Sequence, residues 1–276
     1  MSELDGIPVP PPIDRPLVVH RLVLLGLFVS LIWKWSFLFV ADQVYASLTV
    51  DDDFFPAFFR DHNVLRSAFL LTLIAICVSF FFTKYAVRWI SGVVMLSALT
   101  ILCLHQSSYN DATFTTAWWT SLWSLWFVSY VHVHGREADL RRPAFLSRVI
   151  ISMILLGGAV GKWTGEYWSG EVLYQIYFVE RDFWVFNWLR DHFPAETLRE
   201  IAMWYSRNVI VVETVCGFGL WLLPPRWAAT VAIVVLTSIA VFSNWLLFSV
   251  LMSLIGLASA GLFVRDRNPN AKHSND

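Results

Sequence analysis

The chain has 276 residues, of which 57% are hydrophobic and 15% charged. A soluble domain carries about 25% charged residues and a disordered chain is poor in aromatics, whereas 16% of this chain is Phe, Trp or Tyr. This composition excludes a soluble enzyme, a disordered protein and a secreted disulfide scaffold and leaves an integral membrane protein; a net charge of −1 offers no basic field for nucleic acid.

The first residues are acidic and proline-rich, with Pro8, Pro10, Pro11 and Pro12. They lack the positive start of a signal peptide, so residues 1–16 are expected as a cytoplasmic tail. A spanning helix needs about 20 mostly apolar residues to cross about 30 Å of hydrocarbon. Such runs occur at about 17–40, 65–83, 85–104, 112–131, 145–161 and 208–223. From Trp227 to Val264 no residue is charged, and Ser243-Asn244 near the middle suggests two helices joined by a tight turn. The expected fold is therefore all-α: a polytopic bundle of about eight transmembrane helices over 17–264, followed by a tail at 265–276.

Orientation follows from Lys and Arg. Arg15, Arg21, Lys84, Arg88, Arg136, Arg141, Arg142, Arg148, Arg226, Arg265, Arg267 and Lys272 all fall on one side of this layout. That side is expected to be cytoplasmic, with both termini on it, in the cell (inner) membrane. The opposite side carries Asp42, Asp51, Asp52, Asp53, Asp61 and Asp111. It also carries the longest connection, 163–207, in which aromatics including Trp168, Tyr174, Tyr177, Trp184 and Trp188 alternate with charges. Amphipathic aromatics favour the headgroup region, so this segment is expected to lie on the outer interface or to re-enter it. Pro194 suits the first turn of a helix, which is expected to run through Trp204 towards the sixth span.

Ionisable residues at membrane depth are costly and are functional candidates. Four polar residues from four spans project into the outer half: Lys34, Lys162, Glu213 and Asn244. Snorkelling to the headgroups also accounts for Lys34 and Lys162, and a helix cap for Asn244. Glu213 is short and needs a cation, a hydrogen bond or a proton, with Lys162 and Lys34 the first candidates. A lysine in an apolar cavity can serve as a base or nucleophile, whereas a carboxylate beside it holds it charged.

Other motifs carry little. Gly157 to Lys162 lacks the first glycine and the final Ser/Thr of a phosphate loop, and Gly157/Gly161 have the spacing of close helix packing. His132 and His134 have no carboxylate or cysteine neighbours to complete a metal site. Cys77, Cys103 and Cys216 lie in apolar runs as small hydrophobes. No metal site is expected.

The run Lys162-Trp163-Thr164-Gly165-Glu166-Tyr167-Trp168-Ser169-Gly170 resembles the K-(L/W)-x-G-x-x-W-x-(x)-G signature of HTTM membrane domains. These form the membrane part of vitamin K-dependent gamma-glutamyl carboxylases and their bacterial relatives. Val211-Val212-Glu213-Thr214-Val215-Cys216-Gly217-Phe218 and Phe242-Ser243-Asn244-Trp245-Leu246-Leu247-Phe248-Ser249 resemble the next stretches of that family, in order. The resemblance implies an outer pocket in which Lys162 is the base beside a quinone; the layout of the spans would bring Lys34, Glu213 and Asn244 around the same cavity, and these three with Trp168 are the candidate ligand contacts. Two departures weigh against peptide carboxylation. The carboxylases have a histidine directly before a Ser-Tyr pair, where here Ser107 precedes Ser108-Tyr109 and His105 is offset. They also carry a large lumenal domain, where here 265–276 follow the last span.

Three functions remain in view. The first is an HTTM-like protein with a lipid- or quinone-type ligand in an outer-leaflet pocket. The second is a non-catalytic assembly or scaffold subunit of a membrane protein complex. The third is a transporter, disfavoured because no internal repeat or pair of broken helices is evident. Membrane lipids are expected partners in all three.

Overall fold

A computed structural model describes residues 14–40, 61–104, 112–135, 138–180, 182, 184–243 and 245–265. Asn244, His105, Ser107 to Tyr109, Asp42, Asp51 to Asp53, Asp111, Arg136, Arg267 and Lys272 lie outside them. The described residues form helices throughout.

In chain order these are α1 (Arg15–Trp33), α2 (His62–Phe81), α3 (Tyr85–Leu104), α4 (Thr113–His134) and α5 (Arg141–Gly161). Four short pieces follow: α6 (Gly165–Trp168), α7 (Glu171–Tyr174), a π-helical stretch (Gln175–Glu180) and α8 (Trp184–His192). Then come α9 (Ala195–Gly219), α10 (Pro225–Phe242) and α11 (Phe248–Ala258), the last tightening into a 3-10 turn (Ser259–Phe263). Side-chain caps start α1 and α2, where the Asp14 and Asp61 carboxylates accept from Leu17 N and Asn63 N. Pro194 caps α9, which runs as one helix of 25 residues to Gly219. Between α10 and α11 the chain turns at Ser243, and Trp245 takes a left-handed φ of 61°.

By length and composition, five of the described helices suffice to cross a membrane: α1, α2, α3, α5 and α10. The protein is thus a multi-pass, all-α bundle. α4 is as long as these, but its Thr, Ser and His residues dilute its apolarity. α9 carries Glu196, Arg199, Glu200 and Arg207 in its first half, and Phe248–Phe263 is short.

One apolar core joins Leu24, Leu27 and Leu31 of α1 to α2, α3 and α4. A second joins the start of α1 and the end of α4 to α5, α10 and α11. α1 belongs to both and crosses α11 at glycines: a Cβ on Gly26 would lie 2.6 Å from Met252 O and 2.9 Å from Gly256 Cα. Close backbone approach of this kind raises the van der Waals contact on which helix association in lipid depends. The expected glycine pair is different. At Gly157 and Gly161 a Cβ would meet nothing within 4 Å, because those faces point away from neighbouring helices.

The two ends of the bundle differ in charge. Arg21 Nε donates to Phe80 O (3.2 Å), Arg226 Nε to Val264 O (2.8 Å) and Arg141 Nη2 to Arg265 O (3.3 Å). These contacts gather the start of α1, the end of α2, the starts of α5 and α10 and the end of the chain's last helix at one end. Exposed Tyr85, Trp89 and Trp227 ring that end, and exposed Trp33, Trp35, Trp163, Trp204 and Trp245 ring the other, as in the two aromatic belts of membrane proteins.

Candidate functional site

Lys162 caps the C-terminus of α5, about 30 Å along that helix from Arg141 at about 1.5 Å per residue. Its Nζ donates to both carboxylate oxygens of Glu213 on α9, each at 2.5 Å. Glu213 is buried, while the lysine side chain is 22% exposed. Small residues make room for this pair. A Cβ on Gly158, one turn before Lys162, would stand 3.4 Å from Glu213 Oε2 and 3.6 Å from Lys162 Nζ. Gly217, one turn beyond Glu213, admits Leu156, and Ser152 Oγ donates to Gly217 O at 2.6 Å. Trp221 Nε1 donates to the same Ser152 Oγ at 2.8 Å. α5 and α9 are thus held close enough for Lys162 to reach both oxygens of Glu213.

A cavity of about 370 Å³ opens beside the pair. Its apolar wall comes from Val209 and Val212 of α9 and Val235, Ile239 and Phe242 of α10. Its polar groups are Lys162, Glu213, Asn208, Ser238, Ser243 and the tyrosines 167, 177 and 205. Rim residues Val212 and Phe242 are themselves exposed, and the rim continues into exposed Val211, Val215, Val234 and Val241. The opening therefore faces the apolar flank of the bundle. The segment between α5 and α9, which supplies Tyr167, Leu173 and Tyr177 to the cavity, has a core of its own: Leu173, Tyr177, Phe178 and Phe186 pack on Leu198 and Ala202 of α9. The segment is docked by main-chain contacts, Ser206 Oγ donating to Tyr167 O and Arg207 Nε to Trp168 O. Gly170, at φ 85°, lies where a Cβ would stand 2.4 Å from Met203 N and Cα. Burial, and after it the Glu213 carboxylate, push the Tyr167 phenol above its usual range, so it stays protonated and able to donate.

The chain matches no family model, no curated protein and no solved structure. What the site can do rests on its own chemistry. A size within about 300–1,000 Å³, apolar walls and a few convergent polar groups are the usual features of small-molecule sites. The Lys162 amine is the hydrogen-bond donor of the site, and both Glu213 carboxylate oxygens face it.

The expected site residues separate here. Lys162 and Glu213 meet. Trp168 lies outside the cavity lining, stacked on Trp163 at 5.2 Å with the Arg207 guanidinium 5.4 Å from its ring. Lys34 ends α1, half-buried, and is not among the lining residues. Asn244 lies outside the described residues, although its neighbours Ser243 and Leu247 line the cavity. Tyr205 and Asn208 carry no signal in the sequence, and Tyr177 stands there only as one amphipathic aromatic among several. Tyr167 sits inside the quoted motif, but nothing in the spacing marks its ring as facing Lys162 Nζ, 6.0 Å away. Fully buried His20, whose Nε2 bonds Ser124 Oγ at 2.8 Å, was also unmarked. His132 stacks on Tyr85, and His134 Nδ1 bonds Tyr130 O.

Proposed function

We propose that this protein is an HTTM-like membrane protein that takes a lipid- or quinone-type molecule from the outer leaflet into the cavity between α9 and α10. The observation that carries this reading is the cavity itself: apolar walls, an opening on the apolar flank, and one ion pair with tyrosine hydroxyls at its polar side. Val209, Val212, Val235, Ile239 and Phe242 would hold an apolar ring or chain. Lys162, Tyr167 and Asn208 would meet its oxygens, and a bound quinone would supply redox chemistry there. We place both termini on the cytoplasmic face. We count α4, α9 and α11 as crossings beside the five clear ones, which gives eight, because α4 and α11 pack against α1 inside the bundle.

The test is native mass spectrometry of the full chain purified from its own membrane, with and without Val235→Trp, which fills the cavity. Wild type should carry an apolar small molecule that the variant lacks, both eluting as folded, helical protein. A wild type without ligand, or a variant that keeps it, overturns the reading. One observation favours the second reading, a non-catalytic subunit of a membrane complex: both Glu213 oxygens are already satisfied by Lys162, so the pair is complete without a ligand.

A further inference from the structure

A second cavity lies at the opposite, arginine-rich end, and the helix beside it carries more positive charge than its neighbours answer. It has a volume of about 510 Å³ and is lined by Trp126 of α4, the first turns of α5 and Pro225 at the start of α10. Arg141, Phe145 and Arg148 follow one another at spacings of four and three, so they form one stripe along α5. Arg142 stands beside them, and all four residues line the cavity. Arg148 lies about 10 Å deeper along the axis than Arg141 at about 1.5 Å per residue. No carboxylate lines the cavity. Arg141 is partly engaged, its Nε 4.0 Å from Asp139 and its Nη2 on Arg265 O. Among the described residues Arg142 and Arg148 have neither a hydrogen bond nor an ion pair. Phe145 is exposed and meets Trp221 edge-on at 5.7 Å.

Three guanidiniums at graded depth, two of them with no acid to answer them, and aromatic walls beside them want a ligand that is anionic at one end and apolar at the other. Guanidinium forks suit phosphate oxygens, and basic pockets between spanning helices on such a face bind acidic headgroups. We infer that this notch is a binding site for the phosphodiester headgroup of an anionic phospholipid, with Arg142 and Arg148 on the phosphate and Phe145 and Trp126 against the first part of the acyl chains. The site is separate from the Lys162 cavity and does not depend on what that cavity binds.

The experiment uses the full chain in nanodiscs of phosphatidylcholine alone or with phosphatidylglycerol added, read by thermal unfolding and by retention of lipid in native mass spectrometry. Wild type should retain phosphatidylglycerol over phosphatidylcholine and unfold at a higher temperature when it is present. Arg148→Gln and Arg142→Gln should each weaken retention about five-fold. Arg15→Gln, on the same end of the bundle but outside the notch, should leave it unchanged. Equal retention of the two lipids by wild type overturns the inference without any variant, so a variant that fails to fold does not shelter it. Loss in Arg15→Gln as large as in Arg148→Gln overturns it in favour of a diffuse surface field. Protection by inorganic phosphate in phosphatidylcholine discs, equal to that by the lipid, overturns the lipid as ligand.

Discussion

The Lys162–Glu213 pair is a contact that each partner makes costly to lose. Glu213 is buried, so removing its cation leaves a carboxylate in a low dielectric. A broken, fully buried pair loses roughly 3–5 kcal/mol, and the effect here is smaller because the lysine side chain is 22% exposed. Lys162→Met should therefore lower the thermal stability of the purified protein, and Glu213→Leu should do the same from the other side. The double variant should recover most of the loss, because replacing both charges by apolar groups is often neutral; losses that simply add would show that the pair is not coupled. Lys162→Arg separates structure from chemistry. As an ion pair the site should tolerate Arg, with stability near wild type. If Lys162 serves as a base in some later state, Lys162→Arg and Lys162→Met should both leave a folded protein and abolish its activity alike, because Arg stays protonated.

At the scale of elements, the long apolar helices were legible because burial in lipid leaves a crude signal, a run of about 20 apolar residues. α9 was partly legible. Its apolar half stands out at 208–223, and Pro194 points to a helix start that runs through Trp204 towards it; what the spacing does not give is that the two halves form one unbroken helix. The site was legible where chemistry is expensive: a lysine and a glutamate at membrane depth had to find something, and they found each other. The cavity was not legible, because it depends on which faces of α9 and α10 diverge, and spacing along one helix carries no information about the next. The glycines show the same limit. Gly157 and Gly161 have the right spacing but the wrong azimuth, whereas Gly158 faces the ion pair. Gly170 is a sharper case. Its φ of 85° and its closeness to Met203 exclude any side chain. Gly170→Ala combines left-handed strain with overpacking, roughly 2–5 kcal/mol. It should undock the interfacial segment from α9, seen as faster limited proteolysis within 163–193 while the helical signal of the bundle persists.

The whole molecule has a polarity written in its arginines and its two rings of aromatics. If the arginine end faces the cytoplasm, Glu180→Cys on the π-helical stretch should react with an impermeant thiol reagent in intact cells. Arg142→Cys should react only after permeabilisation. Both variants need a background in which Cys77, Cys103 and Cys216, all partly buried and unpaired, are replaced. The reverse labelling pattern would invert the molecule and move the Lys162 cavity to the inner leaflet.

The crossing of α1 with α11 also sets a timetable. Gly26 and Gly256 touch backbone to backbone, yet they are 256 − 26 = 230 positions apart. At a synthesis rate of about 5–20 residues per second, Gly26 waits roughly 12–46 s for its partner. Through that interval the first helix sits in the bilayer with its tightest face unmatched and its buried His20 short of the finished bundle around it. The contact of α1 with α11 is therefore made well after α1 can meet α2 and α4, so the pairs that hold α1 first are not the pair that packs it most tightly.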